Sequence, residues 1–176
     1  MARRNFPTEL SAKGIRNLRN ELQKYKTDIL PLKLEMLSKR LAESGVDFAK
    51  IRIKTLNAEF TGELLNSIHA ERTGNAAFVI VADSKHAAYV EFGTGQLGME
   101  APYPGKLPDG VDWNYNTGKT IFEISPGNYG WFFPMSDGTW RFTQGMPSRP
   151  FMYETWLELY STVEKIAKEV FNNVGN

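Results

Sequence analysis

The chain has 176 residues, 41% hydrophobic and 23% charged, with a formal net charge of +1 and no cysteine. That length and mix fit one globular domain with its own core and exclude a disordered or low-complexity chain. Disulfides, thiolate chemistry and cysteine-ligated zinc are excluded with the cysteines.

The opening Met1-Ala2-Arg3-Arg4-Asn5-Phe6-Pro7 carries two arginines with no apolar stretch behind them, and no run of about 18 apolar residues follows, so neither a classical secretion signal nor a membrane span is expected. An intracellular site of assembly fits the missing cysteines. The charge is uneven: residues 1–60 hold 13 Lys and Arg against 7 Asp and Glu, and residues 61–176 hold 8 against 13. Solvated helix faces account for such a split, and so does a basic surface on one copy meeting an acidic surface on the next.

From Thr8, a candidate N-cap, to Tyr25, apolar residues at Leu10, Ile15, Leu18, Leu22 and Tyr25 predict an amphipathic helix. Pro31 opposes a continuous helix, and Asp28 is a suitable N-cap, so a kink or restart is expected near Thr27 and Asp28. A second helix carries Leu30, Leu34, Leu37, Leu41 and Phe48 and is expected to end or fray near Ser44-Gly45, or to reach Lys50. Thr61 to Ile68 reads as a capped short helix or turn leading into a strand. Ile68–Arg72 and Ala76–Ala82 predict a β-hairpin around Thr73-Gly74-Asn75, and the apolar run Phe78 to Val81 predicts a central strand covered on both faces.

Next comes His86-Ala87-Ala88-Tyr89-Val90-Glu91-Phe92-Gly93-Thr94-Gly95, which sets one carboxylate among hydrophobes just before a glycine turn. An acid so placed needs a partner, because burying it unpaired costs several kcal/mol or more. Tyr89 and Phe92 are expected to pack inward. Residues 95–147 hold most of the glycines and prolines, so a long structured loop dense in aromatics is expected there, with a hairpin of Trp131–Met135 and Thr139–Phe142 around Ser136-Asp137-Gly138. Ser148-Arg149-Pro150 then starts a last helix with the stripe Met152, Trp156, Leu159, Val163, Ile166 and Val170, ending between Asn172 and Gly175.

No constellation argues for catalysis. Gly93-Thr94-Gly95-Gln96-Leu97-Gly98 matches the G-x-G-x-x-G fingerprint, yet the chain runs on into Met99-Glu100-Ala101-Pro102, which is not the long helix whose N-terminus holds a pyrophosphate. The two histidines, His69 and His86, lack a second ligand at helical metal spacing, and no cofactor or metal is expected. Ser67, Ser84, Ser136 and Ser148 sit in no nucleophile elbow. Among the loop aromatics, Trp113, Tyr115, Trp131 and Trp140 are candidates for an interface. Stacking on nucleic acid is disfavoured because only Lys106, Lys119 and Arg141 are interleaved with them.

Three motifs in order, Thr61-Gly62-x-Leu64-x-x-Ser67-Ile68, then Tyr89-Val90-Glu91-Phe92-Gly93-Thr94, then Arg149-Pro150-Phe151-Met152, resemble the tail-component family of long-tailed, siphovirus-type phages and prophages. Members of that family act as tail-completion or head-tail joining proteins of the neck. The resemblance covers roughly residues 30–94 and 145–172, and the stretch after Gly95 is longer than in a minimal member. It implies a non-enzymatic virion protein, assembled in the bacterial cytoplasm, that forms a ring, often hexameric. Its implied partners are further copies, neck or connector proteins and the tail tube, with no membrane and no sequence-specific nucleic acid. Glu91 is then expected to be tethered by backbone amides or by a basic residue such as Arg149, with Gly62 and Gly93 setting turns. A glycan-binding or wall-degrading component using Trp113 and Trp140 is the alternative.

The expected fold is α+β: N-terminal helices and a C-terminal helix packed on a small, mostly antiparallel sheet, with a long aromatic Gly/Pro-rich insertion. Within one domain, 1–176, the regions are a helical 8–50, a sheet core 61–94, the insertion 95–147 and the last helix 148–172.

Overall fold

A computed structural model describes residues 11–59, 61–115, 119–135 and 137–172. The chain is α+β, with a long N-terminal helical run, a C-terminal helix and two small antiparallel sheets. It sorts into two compact units. One takes the residues up to Asp47, His69–Val81 and those from Glu158 on; the other takes Phe48–Ile68 and Ala82–Leu157.

In the first unit, helix α1 spans Ala12–Lys24 and starts at Ser11, whose hydroxyl accepts from the Gly14 amide at 3.0 Å. Thr8 and Leu10 lie outside the described residues. The irregularity expected near Thr27 and Asp28 takes the form of a widened turn and not of a restarted helix. The helix instead passes Pro31 through a π turn, Tyr25–Ile29, and continues as α2, Leu30–Thr55. A proline removes one helical amide and crowds the preceding turn, and a turn widened to π accommodates both. Asp28 lies inside that turn, where it accepts from the Thr27 hydroxyl at 2.7 Å, and does not act as an N-cap.

Nor does α2 end at Gly45. That glycine serves packing: a Cβ there would collide with the side-chain ends of Ile80 and Leu159. Helix α6, Phe151–Asn172, lies antiparallel to α2 in this unit, since Lys33 Nζ reaches the Val170 carbonyl at 2.8 Å while Gly45 faces Leu159. Strands β1, Ile68–Gly74, and β2, Ala77–Ala82, form the expected hairpin, with its turn one residue later at Asn75-Ala76. Among the described residues they make a sheet of two strands. The run Phe78 to Val81 is therefore not central: Phe78 and Ile80 are half-buried, while Val79 is 41% exposed.

The second unit holds most of the buried side chains, including Ala49, Ile53, Leu64, Ile68, Val90 and Phe151. Helix α3, Glu63–Ser67, follows a left-handed Gly62. Its free amides are met by Glu59, whose carboxylate accepts from Gly62 N at 2.6 Å and Leu65 N at 2.7 Å. After it come α4, Ala87–Phe92, and α5, Gly95–Glu100, so residues 61–94 hold two short helices as well as strands. Strands β3 (Phe122–Ser125), β4 (Asn128–Pro134) and β5 (Trp140–Thr143) form an antiparallel sheet in that order, followed by β6, Gly145–Met146. The expected β4–β5 hairpin is present, pairing Trp131 with Thr143 and Pro134 with Trp140; Ser136 lies outside the described residues. Among the described residues, no helix is long and apolar enough to cross a membrane.

The apolar stripe expected on the last helix is met in part, with Val170 buried and Met152, Leu159 and Ile166 half-buried. Phe151, Thr155 and Val170 are its buried positions, whereas Trp156 and Val163 of the apolar stripe are exposed. Residues past Asn172 lie outside the described residues.

Candidate functional site: the Glu91 junction and its aromatic cleft

The run before Gly93 is helical, and that decides which side chains turn inward. At helical spacing Ala87, Val90 and Glu91 share the buried side, and Glu91 is only 6% exposed. Tyr89, expected inside, is 44% exposed, and Phe92 is half-buried. Helix α4 ends at Gly93, with φ of 80° and ψ of 169°, a region that is essentially glycine's alone. A Cβ there would also stand 2.7 Å from the Ser148 nitrogen.

Both oxygens of Glu91 are committed. Oε2 accepts from the Met152 amide at 2.9 Å and Oε1 from the Tyr153 amide at 3.0 Å, in the first turn of α6. Two of the amides that a helix start leaves without internal partners are thus satisfied from another element. The Ser148 hydroxyl donates to the Glu91 carbonyl at 2.6 Å and the Arg149 amide to the Val90 carbonyl at 2.8 Å. The tether is made by amides, and no ion pair joins Glu91 to Arg149 among the described residues. Burial pushes the Glu91 carboxyl above its usual range; the two amides oppose that rise and Glu154 adds to it.

The second and third sequence motifs therefore meet in space. The first joins the same core through Leu64 and Ile68, and Ser67 accepts the Asp83 amide at its carbonyl. The Thr61 hydroxyl accepts from the Glu63 amide at 3.4 Å. Thr94 is buried and bridges to Met146, while Pro150 precedes the first residue of α6.

Of the four candidate interface aromatics, only Trp140 is well exposed, at 66%. Trp113 is half-buried; its indole N–H donates to the Gly93 carbonyl at 2.9 Å and its ring leans on Tyr89 and Phe92. Tyr115 accepts the Tyr103 amide at its hydroxyl and the Gly95 amide at its carbonyl. Trp131 is also half-buried, its ring over Gly95, where a Cβ would come within 2.8 Å. Three of the four thus brace the junction.

Gly93 to Gly98 does lead into a helix, which the following prolines had argued against. That helix is only six residues long and is preceded by α4 rather than by a strand. Gln96 is a clamp: its carbonyl accepts from Tyr129 N at 3.1 Å and Gln144 Nε2 at 3.0 Å, and its amide donates to Glu100 and the Gly127 carbonyl. His69 pairs with Glu71 at 2.8 Å on an exposed strand, and His86 directly precedes α4. Among the described residues no three His, Asp or Glu side chains converge as metal ligands.

Two apolar surfaces flank the junction. The first is an open cleft of about 540 Å³ between α4 and the start of α6, walled by Ala88, Phe92, Tyr103, Met152, Tyr153 and Trp156, with Glu91 also lining it. Its rings run in series, Phe92 to Tyr103 at 4.9 Å, Tyr103 to Tyr153 at 5.6 Å and Tyr153 to Trp156 at 6.2 Å. Burial, with Glu91 and Tyr153 adding to it, raises the Tyr103 hydroxyl above its usual range. The second is one face of the three-stranded sheet. Phe132 meets Phe122 at 5.8 Å and Phe142 at 5.4 Å, both edge to face, and Trp140 lies on the same face two residues from Phe142. Tyr103, Tyr153 and Gln96 were not singled out by sequence reasoning, since nothing local distinguishes them from other loop or helix residues.

Comparison of the chain with protein-family models, with curated proteins and with solved structures gives no match.

Proposed function

We propose that this chain is a structural virion protein of a tailed phage or prophage, a tail-completion or head-tail connector subunit that acts by contact and not by turnover. The observation that carries the reading is the meeting of two of its motifs: Glu91 and Gly93 close directly on Ser148 to Tyr153. A resemblance first carried by short separated motifs thus falls on residues that depend on one another. Further support comes from the exposed aromatic sheet face and the exposed apolar residues of the helices, because large apolar patches mark interaction surfaces. In this reading copies join into a ring whose faces meet a neck protein and the tail tube.

Gold-labelled antibody against the chain, applied to purified particles, tests the placement. Label at the head-tail junction is the expected result; label at the distal tip, or none on particles, contradicts it.

A second reading, glycan binding on the sheet face, is favoured by one observation, the exposure of Trp140 beside Phe142 and Phe132, since flat exposed rings stack on sugars. Trp113, bound to the Gly93 carbonyl, adds nothing to it. Glycan-array binding that disappears in Trp140→Ala would establish this reading; a blank array removes it.

A further inference from the structure

We infer that helix α1 binds the surface of an anionic lipid bilayer and lies along its headgroup layer. This goes beyond the assembly reading, whose resemblance implies no membrane partner, and does not rest on it. Helix α1 packs through Gly14, which is buried, and Leu18, which is half-buried. On its solvent side stand Ile15, Arg19, Leu22 and Lys26, at helical spacings of four, three and four, so that aliphatic and cationic side chains alternate along one stripe. All four are exposed, Ile15 at 60% and Leu22 at 49%. Lys13, Arg16 and Lys24 are exposed as well, and residues 12–29 thus carry five cations against the two acids Glu21 and Asp28. Among the described residues none of the five cations is in an ion pair, whereas Arg40, Arg52 and Arg72 each meet a glutamate.

The alternation selects the occupant. Nucleic acid would neutralise the cations but leave Ile15 and Leu22 without an apolar partner. A second copy of the same helix sets like charge against like charge. A dry protein interface would strip water from Arg19 and Lys26 beside the very aliphatics it buries. An anionic bilayer meets both kinds of side chain at once: the acyl boundary takes Ile15 and Leu22, and the long stems of Arg19 and Lys26 carry their charges up to the phosphates. With 13 residues, α1 is too short to span a bilayer, and an amphipathic helix of low net hydrophobicity lies in the interface plane.

Flotation of the full chain with vesicles tests this. One set is phosphatidylglycerol and phosphatidylcholine in equal parts, the other phosphatidylcholine alone. Binding is expected on the first set, at least about tenfold weaker on the second, and weaker on the first at raised ionic strength. Arg19→Gln with Lys26→Gln should weaken it about thirtyfold, at roughly fivefold for each cation near an anionic surface. Ile15→Gln with Leu22→Gln should weaken it at least about tenfold by removing the aliphatic area. Ile15→Leu, which keeps that area, should bind as the parent does. All these positions are exposed, and unfolding midpoints near the parent's confirm that the variants are folded. No binding, equal binding to both vesicle sets, or binding indifferent to either glutamine pair overturns the inference. So does tighter binding of duplex DNA or polyglutamate than of the anionic vesicles, unchanged by Ile15→Gln with Leu22→Gln, which would make α1 a contact for an acidic polymer.

Discussion

The carboxylate of Glu91 and the amide of Tyr153 are 62 positions apart in the chain and meet at 3.0 Å. With the neighbouring bond to Met152, this contact makes a side chain of α4 the cap of α6. An acid among hydrophobes is here an element of architecture: it fixes where the last helix starts relative to the glycine turn.

Replacing Glu91 by alanine strips both amides of their acceptor in a buried setting. Each unmet buried donor costs about 1–3 kcal/mol, so Glu91→Ala is expected to lower unfolding stability by at least about 2 kcal/mol. Glu91→Gln keeps one acceptor and should lose less. Urea unfolding followed by tryptophan fluorescence measures both, and an alanine variant as stable as the parent contradicts the capping role.

The pH response has a definite sign. Glu91 in the folded chain holds its proton more tightly than an ordinary glutamate, whose value is 4.5. The folded state therefore binds more protons than the unfolded state just above that value, and this group's contribution to stability falls as pH rises through the window up to the raised folded value. The stability difference between the parent and Glu91→Gln is expected to shrink over that window and then level off. A difference that grows with pH there would mean that the amides outweigh burial.

Two glycines should respond in different ways. Gly93→Ala forces a side chain into a glycine-only conformation and onto the backbone at Ser148, with an expected loss of about 1–3 kcal/mol or more. Gly45→Ala in an exposed helix would gain about 1 kcal/mol, but here the new methyl collides with the ends of Ile80 and Leu159, so the gain should be absent. Thermal unfolding of both variants checks this; a full helix-type gain at Gly45 contradicts the packing described for it.

Trp140 separates folding from contact. With 66% of its surface exposed, Trp140→Ala is expected to change stability by no more than about 0.5 kcal/mol. If the sheet face joins a partner, the same variant should enter particles poorly, because aromatic anchors carry much of an interface's energy. Comparing its unfolding midpoint with its amount per purified particle tests the pair of outcomes. Normal incorporation would release this face from an assembly role.

Much of this fold was legible in the sequence because its signals are local. Periodicity gave α1, α2 and α6, Ser136-Asp137-Gly138 gave the β4–β5 hairpin, and the capped turn at Thr61 gave α3, whereas the short α4 and α5 went unforeseen. What failed depended on tertiary context. Gly45 and Pro31 read as breaks, but one is a packing glycine and the other is absorbed by a π turn. The β2 run read as central, yet among the described residues it has one partner strand. Tyr89 was expected inside, but the stretch is a helix whose spacing turns Val90 and Glu91 inward. The amide tether of Glu91 was one of two expected partners, and its donors, on the far side of the aromatic insertion, have no signature near Glu91. The interface aromatics were half legible: richness in Trp and Tyr was visible, but which rings brace the junction and which face solvent depends on the sheet register.

The central proposal is that this chain joins tail to head, and deletion of its gene from the phage or prophage proposed to encode it tests it most directly. Lysates made without the chain, viewed by electron microscopy, are expected to contain filled heads and complete tails that are not joined, with infectivity restored by supplying the chain in trans. Normal joined, infectious particles in its absence would contradict the claim.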